Sequence, residues 1–412
     1  MLHDPARHEG LVEIPWDEVR ARAAIARIVR DTVQACPADG WWPSHPRDRE
    51  PADDPAGLVT PLYYGAAGVV WALRYLRAVG APGAEEAPTF ADRLPALLED
   101  NRRWLAAMGD DAPGSYLMGD LPIEMMAWDD APDAPRADRI AALIGNNIDH
   151  PARELMWGSP GSLLAALFMH RRSGDERWAV LFRRIAAHLR GQLHWSTTQQ
   201  CHFWTQDLYG RHSRYIDAVH GFAATACVML QGRHLLAEDD RAWWPRTIEQ
   251  TIANTAQREG GLASWPVQAE EPPDHPQRRL MQFCHGAPGF VICLAQLPGT
   301  ALDALLAEAG EATWAAGPLT KGSNLCHGTG GNGYAFLVLH ARTGDARWLA
   351  RARAFAMHGL LQMEREAAEL GRLRHSLWTG DPGFAIYLWD CILARAAFPT
   401  LDVYFGEPAS AA

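Results

Sequence analysis

Lysine, cysteine and long apolar runs are all scarce in this 412-residue sequence. Lys321 is the single lysine, and the net charge of -11 argues against nucleic-acid binding, which needs clustered positive charge. No stretch of 18 apolar residues is free of polar breaks, so we expect no membrane span. The chain opens on polar and acidic residues rather than on a signal or transit peptide.

The cysteines are too few and too irregular for a disulfide framework. There are seven, an odd number, spread over the whole chain. We therefore expect a cytoplasmic, reducing compartment, where paired Cys/His motifs more often indicate a metal site or catalysis.

One pattern recurs throughout: a short glycine-containing turn followed at once by an apolar run. Seven copies, 39 to 65 residues apart, begin at Gly65, Gly119, Gly158, Gly221, Gly286, Gly328 and Gly380, the second and fourth being degenerate. Residues 168–178 also match residues 338–348 at an offset of 170, the same offset that maps Gly158 onto Gly328. The sequence therefore contains an internal repeat.

Each repeat predicts an apolar inner helix followed by an amphipathic outer one. Gly174 suits a helix C-cap and Asp175 the N-cap of the next helix, which is rich in arginine on one face. Strand signals are scarce. We predict an all-α fold, a closed α/α toroid of about seven inner and seven outer helices, with an open solenoid as the alternative. Residues 58–412 would form this single domain, and residues 1–57 an N-terminal helix, roughly 16–36, and a loop that pack on it.

Two of the turns carry an additional Cys-His pair, Cys284-His285 before Gly286 and Cys326-His327 before Gly328. The pairs lie 42 residues apart, about one repeat, so they should be neighbours at one mouth of the ring. Two thiolates and one imidazole suit zinc and leave its fourth position open, which is typical of catalytic rather than structural sites. The alternative is that both cysteines are buried small hydrophobes.

These motifs resemble those of the LanC-like (lanthionine synthetase C-like) family. The resemblance rests on 283–289 (FCHGAPG), 325–337 (LCHGTGGNGYAFL) and the His-Gly turn at 218–221 (AVHG), and it extends over residues 60–395. It implies an α/α toroid with one zinc ion held by Cys284, Cys326 and His327. It also implies addition of a thiol to the β-carbon of dehydroalanine or dehydrobutyrine, after which a general acid protonates the α-carbon.

The resemblance points to three further catalytic candidates. His220 matches the active-site histidine of the family and is our candidate acid. His285 could hydrogen-bond the enolate or orient the substrate, and Glu154 could orient His220. The alternatives are a core histidine for His220, a rim carboxylate for Glu154 and, for His285, a residue that only supports the neighbouring metal ligand.

The substrate is less closely defined than the chemistry. A dehydrated peptide or protein is the expected partner, closed into a thioether ring by its own cysteine or joined to glutathione. Arg278, Arg279 and Lys321 lie within six residues of Cys284 or Cys326 and favour an anionic thiol such as glutathione. A non-catalytic adaptor that binds zinc and peptide or glutathione is the main alternative. An α/α-barrel glycosidase would give no reason for two Cys-His-Gly turns.

Overall fold

The computed structural model describes residues 2–49, 57–109, 112–270 and 279–406. Fourteen α-helices lie in these ranges and alternate between two concentric layers. The inner helices, each of which follows a glycine turn, are α2 (Ala66–Ala78), α4 (Leu121–Asp130), α6 (Ser159–Ser173), α8 (Phe222–Gln231), α10 (Ala287–Cys293), α12 (Thr329–Thr343) and α14 (Asp381–Leu393). The outer helices are α1 (Glu18–Gln34), α3 (Leu94–Met108), α5 (Ala134–Asn146), α7 (Glu176–Gly191), α9 (Glu238–Thr255), α11 (Asp303–Ala316) and α13 (Ala346–Leu370).

The pair α6–α7 shows why the two layers differ. Every residue of α6 from Ser159 to Met169 is buried, so all but the last turn of this helix is enclosed on all sides. In α7 the buried residues recur every three or four positions, as in a helix with one face towards solvent. Gly174 ends α6 in the left-handed conformation, and the Asp175 carboxylate accepts the Arg177 N–H at the start of α7. The predicted cap residues are therefore confirmed.

Backbone hydrogen bonds between neighbouring glycine turns close the ring. The Cys326 N–H donates to the Trp378 carbonyl at 2.8 Å, and the Trp378 N–H donates to the Tyr63 carbonyl at 3.0 Å. The Tyr63 N–H in turn donates to the carbonyl of Leu117 at 3.0 Å. Because the last turn thus bonds to the first, the closed toroid is confirmed and the open solenoid is excluded.

The N-terminal segment supplies one of the seven outer helices. Helix α1 packs against the last inner helix, α14, and also touches α13. Its buried residues, which include Ile25 and Ile28, lie on one face, as expected for the outer layer. The helix predicted ahead of the barrel therefore completes the outer ring.

Three small antiparallel hairpins interrupt the helical pattern within the described ranges. They are β1–β2 (His194–Ser196 with Cys201–Phe203), β3–β4 (Gln206–Leu208 with Arg211–Ser213) and β5–β6 (Gln257–Glu259 with Leu262–Ser264). The first two lie between α7 and α8, and the third lies between α9 and α10. Each strand has only three residues, too few for the alternating pattern by which a strand is recognised in sequence.

The axis of the ring is filled by the chain that follows α14. Phe398 packs on Phe283 and Trp378, with ring centroids 4.3 and 5.5 Å apart. Further along, Tyr404 contacts Tyr116 with centroids 6.1 Å apart, and the Tyr116 hydroxyl donates to the Thr400 carbonyl at 2.7 Å. The segment also packs on inner helices from two sides of the ring, through Phe168 of α6 and Tyr334 of α12.

In the described part of the chain, no helix is both long and apolar enough to cross a membrane.

Candidate functional site

The seven glycine turns share a five-residue pattern that ends on the glycine. Position one is usually polar, position two is apolar and buried, and positions three and four vary. We number the turns one to seven along the chain: 61–65, 115–119, 154–158, 217–221, 282–286, 324–328 and 376–380. The same backbone therefore presents different side chains seven times around one end of the ring.

Close packing of each turn on its own backbone explains the glycine at position five. A Cβ at this position would come within 2.1 to 2.7 Å of a backbone atom in every one of the seven turns. At Gly286 the backbone also has φ +99, a region that residues with a side chain rarely adopt. The fold thus requires glycine at this position, and the spacing of these glycines marks the turns along the chain.

Three successive turns carry histidine at position four. They are His220 in turn four, His285 in turn five and His327 in turn six. Turns five and six also carry cysteine at position three, and the Cys284 N–H donates to the Cys326 carbonyl at 3.1 Å. Repeat geometry therefore gathers three imidazoles and two thiols on one arc of the mouth.

The two thiols contact each other. Cys326 is the hub of the cluster, since its sulfur is hydrogen-bonded to Cys284 and His327, and it accepts the Tyr63 hydroxyl at 2.8 Å. The hydrogen bond with Cys284, reinforced by those from His327 and Tyr63, holds the pKa of Cys326 well below its usual range despite burial. Burial, followed by the neighbouring Cys326 sulfur, raises the pKa of Cys284. The pair thus favours one thiolate beside one thiol.

His220 forms an ion pair with a buried carboxylate. Its Nδ1 lies 2.9 Å from Glu154 Oε2, and the side chain of Glu154 is fully buried. Burial alone would lower the pKa of His220, but the hydrogen bond and charge of Glu154 outweigh it, so the pKa lies above its ordinary value. Glu154 is itself fixed by the N–H groups of Met156 and Trp157, at 2.9 and 2.5 Å. This arrangement favours the protonated form of His220 at the mouth.

His285 has a carboxylate partner of its own, which the sequence analysis missed. Its Nδ1 lies 2.6 Å from Asp217 Oδ2, and Asp217 is buried. The other carboxylate oxygen of Asp217 accepts the backbone N–H of His220 at 3.0 Å, so one side chain joins turns four and five. The rings of His220 and His285 lie 6.3 Å apart. Two histidine–carboxylate pairs therefore stand side by side.

A positional signal could have revealed Asp217. It occupies position one of its turn, as Glu154 does in turn three, Gln282 in turn five and Asn324 in turn six. Of these four residues, only Glu154 is predicted from the sequence as a catalytic candidate.

The structure describes two of the three predicted cationic residues. Arg279 and Lys321 are both exposed, on the segments that lead into turns five and six. Arg278 lies outside the described residues. Binding of an anionic substrate by these three therefore stays a prediction.

The donor chemistry of the cluster suits zinc, which prefers thiolate and imidazole ligands. Cys326 already contacts both Cys284 and His327, and its lowered pKa favours the thiolate form that a metal needs. Within the described residues, no three His, Cys, Asp or Glu side chains form a finished ion cage, so the donors would have to converge further around a bound ion.

A helical toroid whose mouth presents two thiols beside histidine–carboxylate pairs defines the class of protein to which this chain belongs. The model of the lanthionine synthetase C-like protein family matches residues 135–402. The chain therefore belongs to the LanC-like family, and the resemblance seen in its sequence is confirmed.

Similarity to individual proteins extends over most of the chain. It is 27% identical over 370 residues to "Glutathione S-transferase LANCL1" of Danio rerio, covering 83% of this chain and 84% of that protein. It is 32% identical over 252 residues to "LanC-like protein GCL1" of Arabidopsis thaliana, covering 57% and 54% respectively. Among solved structures, "Nisin cyclase" matches with a TM-score of 0.58 at 14% identity, over 92% of this chain and 95% of that one. At that identity the match shows the shared fold.

Proposed function

We propose that this protein catalyses the zinc-dependent addition of a thiol to dehydroalanine or dehydrobutyrine, forming a thioether. The observation that carries the proposal is that Cys326 contacts both Cys284 and His327, beside the ion pair of His220 with Glu154. Groups that activate a thiol and a group that donates a proton then face one mouth. The names of two relatives, a glutathione S-transferase and a cyclase, support chemistry of this type.

Cys284, Cys326 and His327 are the residues that would hold the zinc ion. Two cysteines and one histidine leave a position free for a fourth ligand. When bound, zinc would supply the Lewis acidity that makes a substrate thiol a thiolate at neutral pH. Tyr63 donates to the Cys326 sulfur at 2.8 Å, which would stabilise the negative charge of that ligand.

The protein side chains would handle the proton. The new C–S bond forms at the β-carbon, while the π electrons of the double bond move onto the adjacent carbonyl as an enolate. His220 then delivers its proton to the α-carbon, so that sulfur and hydrogen have added across the double bond. Glu154 raises the pKa of His220 and fixes its ring through Nδ1 at 2.9 Å, which leaves Nε2 as the donating atom.

His285 is proposed to bind the enolate or to orient the substrate. Asp217 accepts from its Nδ1 at 2.6 Å and thereby fixes the ring. Because Asp217 also accepts the backbone N–H of His220, one carboxylate links the turn that carries His220 to the ring of His285. The two rings could then act on neighbouring atoms of one substrate.

The thiol partner is proposed to include free glutathione as well as the cysteine of a dehydrated peptide. Arg279 and Lys321 are exposed ahead of turns five and six, where they could meet the carboxylates of glutathione, with Arg278 as a third candidate cation. The name of the Danio rerio relative favours the same partner.

Metal analysis joined to mass spectrometry tests the proposal. We expect about one zinc per chain in the parent protein and almost none in Cys284→Ala or Cys326→Ala. Cys391→Ala is the matched control, since Cys391 is equally buried but lies within inner helix α14. A cysteine-free dehydroalanine peptide should gain glutathione, whereas a peptide with its own cysteine should close a ring. Zinc binding without either product would instead support the adaptor, and undiminished zinc in both variants would exclude the metal site.

A further inference from the structure

The N-terminal residues 4–9, which we call the strap, lie across the segments that lead into turns five and six. The Asp4 N–H donates to the Arg279 carbonyl at 3.2 Å. His8 pairs antiparallel with Leu319, and the Thr320 N–H donates to the Arg7 carbonyl at 3.0 Å. The strap is therefore bound to both cysteine-bearing repeats.

One side chain of the strap reaches turn five directly. Arg7 Nη2 donates to Gln282 Oε1 at 3.2 Å, and Gln282 Nε2 donates to the Cys284 sulfur at 2.9 Å. Gln282 is buried and occupies position one of the turn. A continuous chain of donors thus runs from the N-terminal strap to one of the two thiols.

From this chain we infer that Arg7 is a positioning residue, which keeps the amide of Gln282 oriented so that its NH2 group faces Cys284. A guanidinium group has donors only, so the amide oxygen must face Arg7 and the amide nitrogen must face the sulfur. Without Arg7 the amide could rotate and turn its oxygen towards Cys284, where it would repel the thiolate that Cys284 must form to hold zinc. The inference rests on the proposed zinc site, because it concerns the charge on one of the zinc ligands.

The backbone of the turn makes this orientation consequential. The Gln282 N–H donates to the His285 carbonyl at 2.9 Å, and the His285 N–H donates to the Gln282 carbonyl at 3.0 Å. With the main chain fixed at both ends, rotation of the Gln282 side chain is the freedom that remains, and Arg7 restrains it. Groups that orient or hydrogen-bond a metal ligand typically change metal affinity by about 10- to 100-fold when they are removed.

Zinc affinity, measured by chelator competition on the 412-residue chain, tests this role. We expect Gln282→Leu to weaken zinc binding by about 10- to 100-fold. Arg7→Ala should weaken it by about two- to tenfold, with partial recovery in Arg7→Lys. The double variant should be no weaker than Gln282→Leu alone, because Arg7 would act only through Gln282.

Glu9→Gln is the matched control for general loosening of the strap. Glu9 anchors the strap to His358 at 2.9 Å and to Gln362 at 2.7 Å, away from Gln282. The Glu9→Gln variant should bind zinc with an affinity within about twofold of that of the parent protein. Cobalt substitution adds a second readout, since the thiolate-to-metal absorption band should shift in Arg7→Ala and Gln282→Leu but not in Glu9→Gln.

Two different failures can be told apart. If the parent chain binds no zinc, the inference falls together with the metal in the proposed function. If the parent binds zinc but Arg7→Ala matches it, or matches Glu9→Gln, only the role of Arg7 is overturned. Additive losses in the double variant would likewise show that Arg7 does not act through Gln282.

Discussion

Turns six and seven share a pattern of backbone contacts but carry different side chains. In turn six Asn324 at position one accepts the His327 N–H at 3.0 Å, and in turn seven Ser376 binds the Thr379 hydroxyl at 2.8 Å. Both glycines at position five would bring a Cβ within 2.5 Å of a backbone carbonyl. Positions three and four then differ completely, with Cys-His in one turn and Trp-Thr in the other. The fold thus constrains positions two and five and leaves three and four free for chemistry.

The largest effect should come from position four of a chemically active turn. His220→Ala should retain the proposed zinc but lower kcat/KM for thiol addition by about 100- to 10,000-fold, because it removes the proposed acid that protonates the α-carbon. Thr379→Ala, at the same position of turn seven, should stay within about threefold. Steady-state assays with a dehydroalanine peptide measure both. Equal losses in the two variants would show that position four matters for the ring rather than for chemistry.

Position five should matter for stability in every turn, whatever its chemistry. Gly286→Ala would place a Cβ 2.1 Å from the Leu280 carbonyl at φ +99, and it should lower the free energy of unfolding by about 3 kcal/mol or more. Gly145→Ala in helix α5 meets no atom within 4 Å and should raise stability by about 0.5 to 1 kcal/mol. Urea unfolding compares the two variants. A tolerated alanine at Gly286 would contradict the packing argument.

Removing the charge of Glu154 should change the pH dependence of the reaction. Burial lowers the pKa of His220 and Glu154 raises it, so in Glu154→Gln burial dominates and the pKa falls. The proton-donating form of His220 is then lost at lower pH, and the alkaline limb of kcat/KM moves down. The rate on that limb should fall about tenfold per unit of pKa. An unmoved limb would assign the proton to another group.

Features repeated along the chain could be predicted from sequence. The glycine spacing and the caps at Gly174 and Asp175 gave the helix pairs and the ring, and the Cys-His pairs gave the thiol cluster. The position of His220 followed from its resemblance to the family. Each of these signals lies within one repeat or recurs at the same position of another.

Contacts between distant parts of the chain could not be predicted in this way. The Tyr63 contact with Cys326 and the Arg7 contact with Gln282 each join residues more than 260 positions apart. The segment that fills the ring axis through Phe398 has no counterpart in the other repeats. Such contacts form only when the ring closes, and no local pattern in the sequence indicates which distant residues then meet.

The smallest expected effect tests whether position one is interchangeable between turns. Asn324→Ser gives turn six the residue of turn seven, and the hydroxyl can still accept the His327 N–H. It loses the hydrogen bond from Asn324 Nδ2 to the Lys321 carbonyl, 2.9 Å long, so the free energy of unfolding should fall by about 1 kcal/mol. Urea unfolding of this variant beside Ser376→Ala gives the comparison. A loss above about 3 kcal/mol would mean that turn six needs its amide for more than a cap, and that the two turns share less than their common backbone implies.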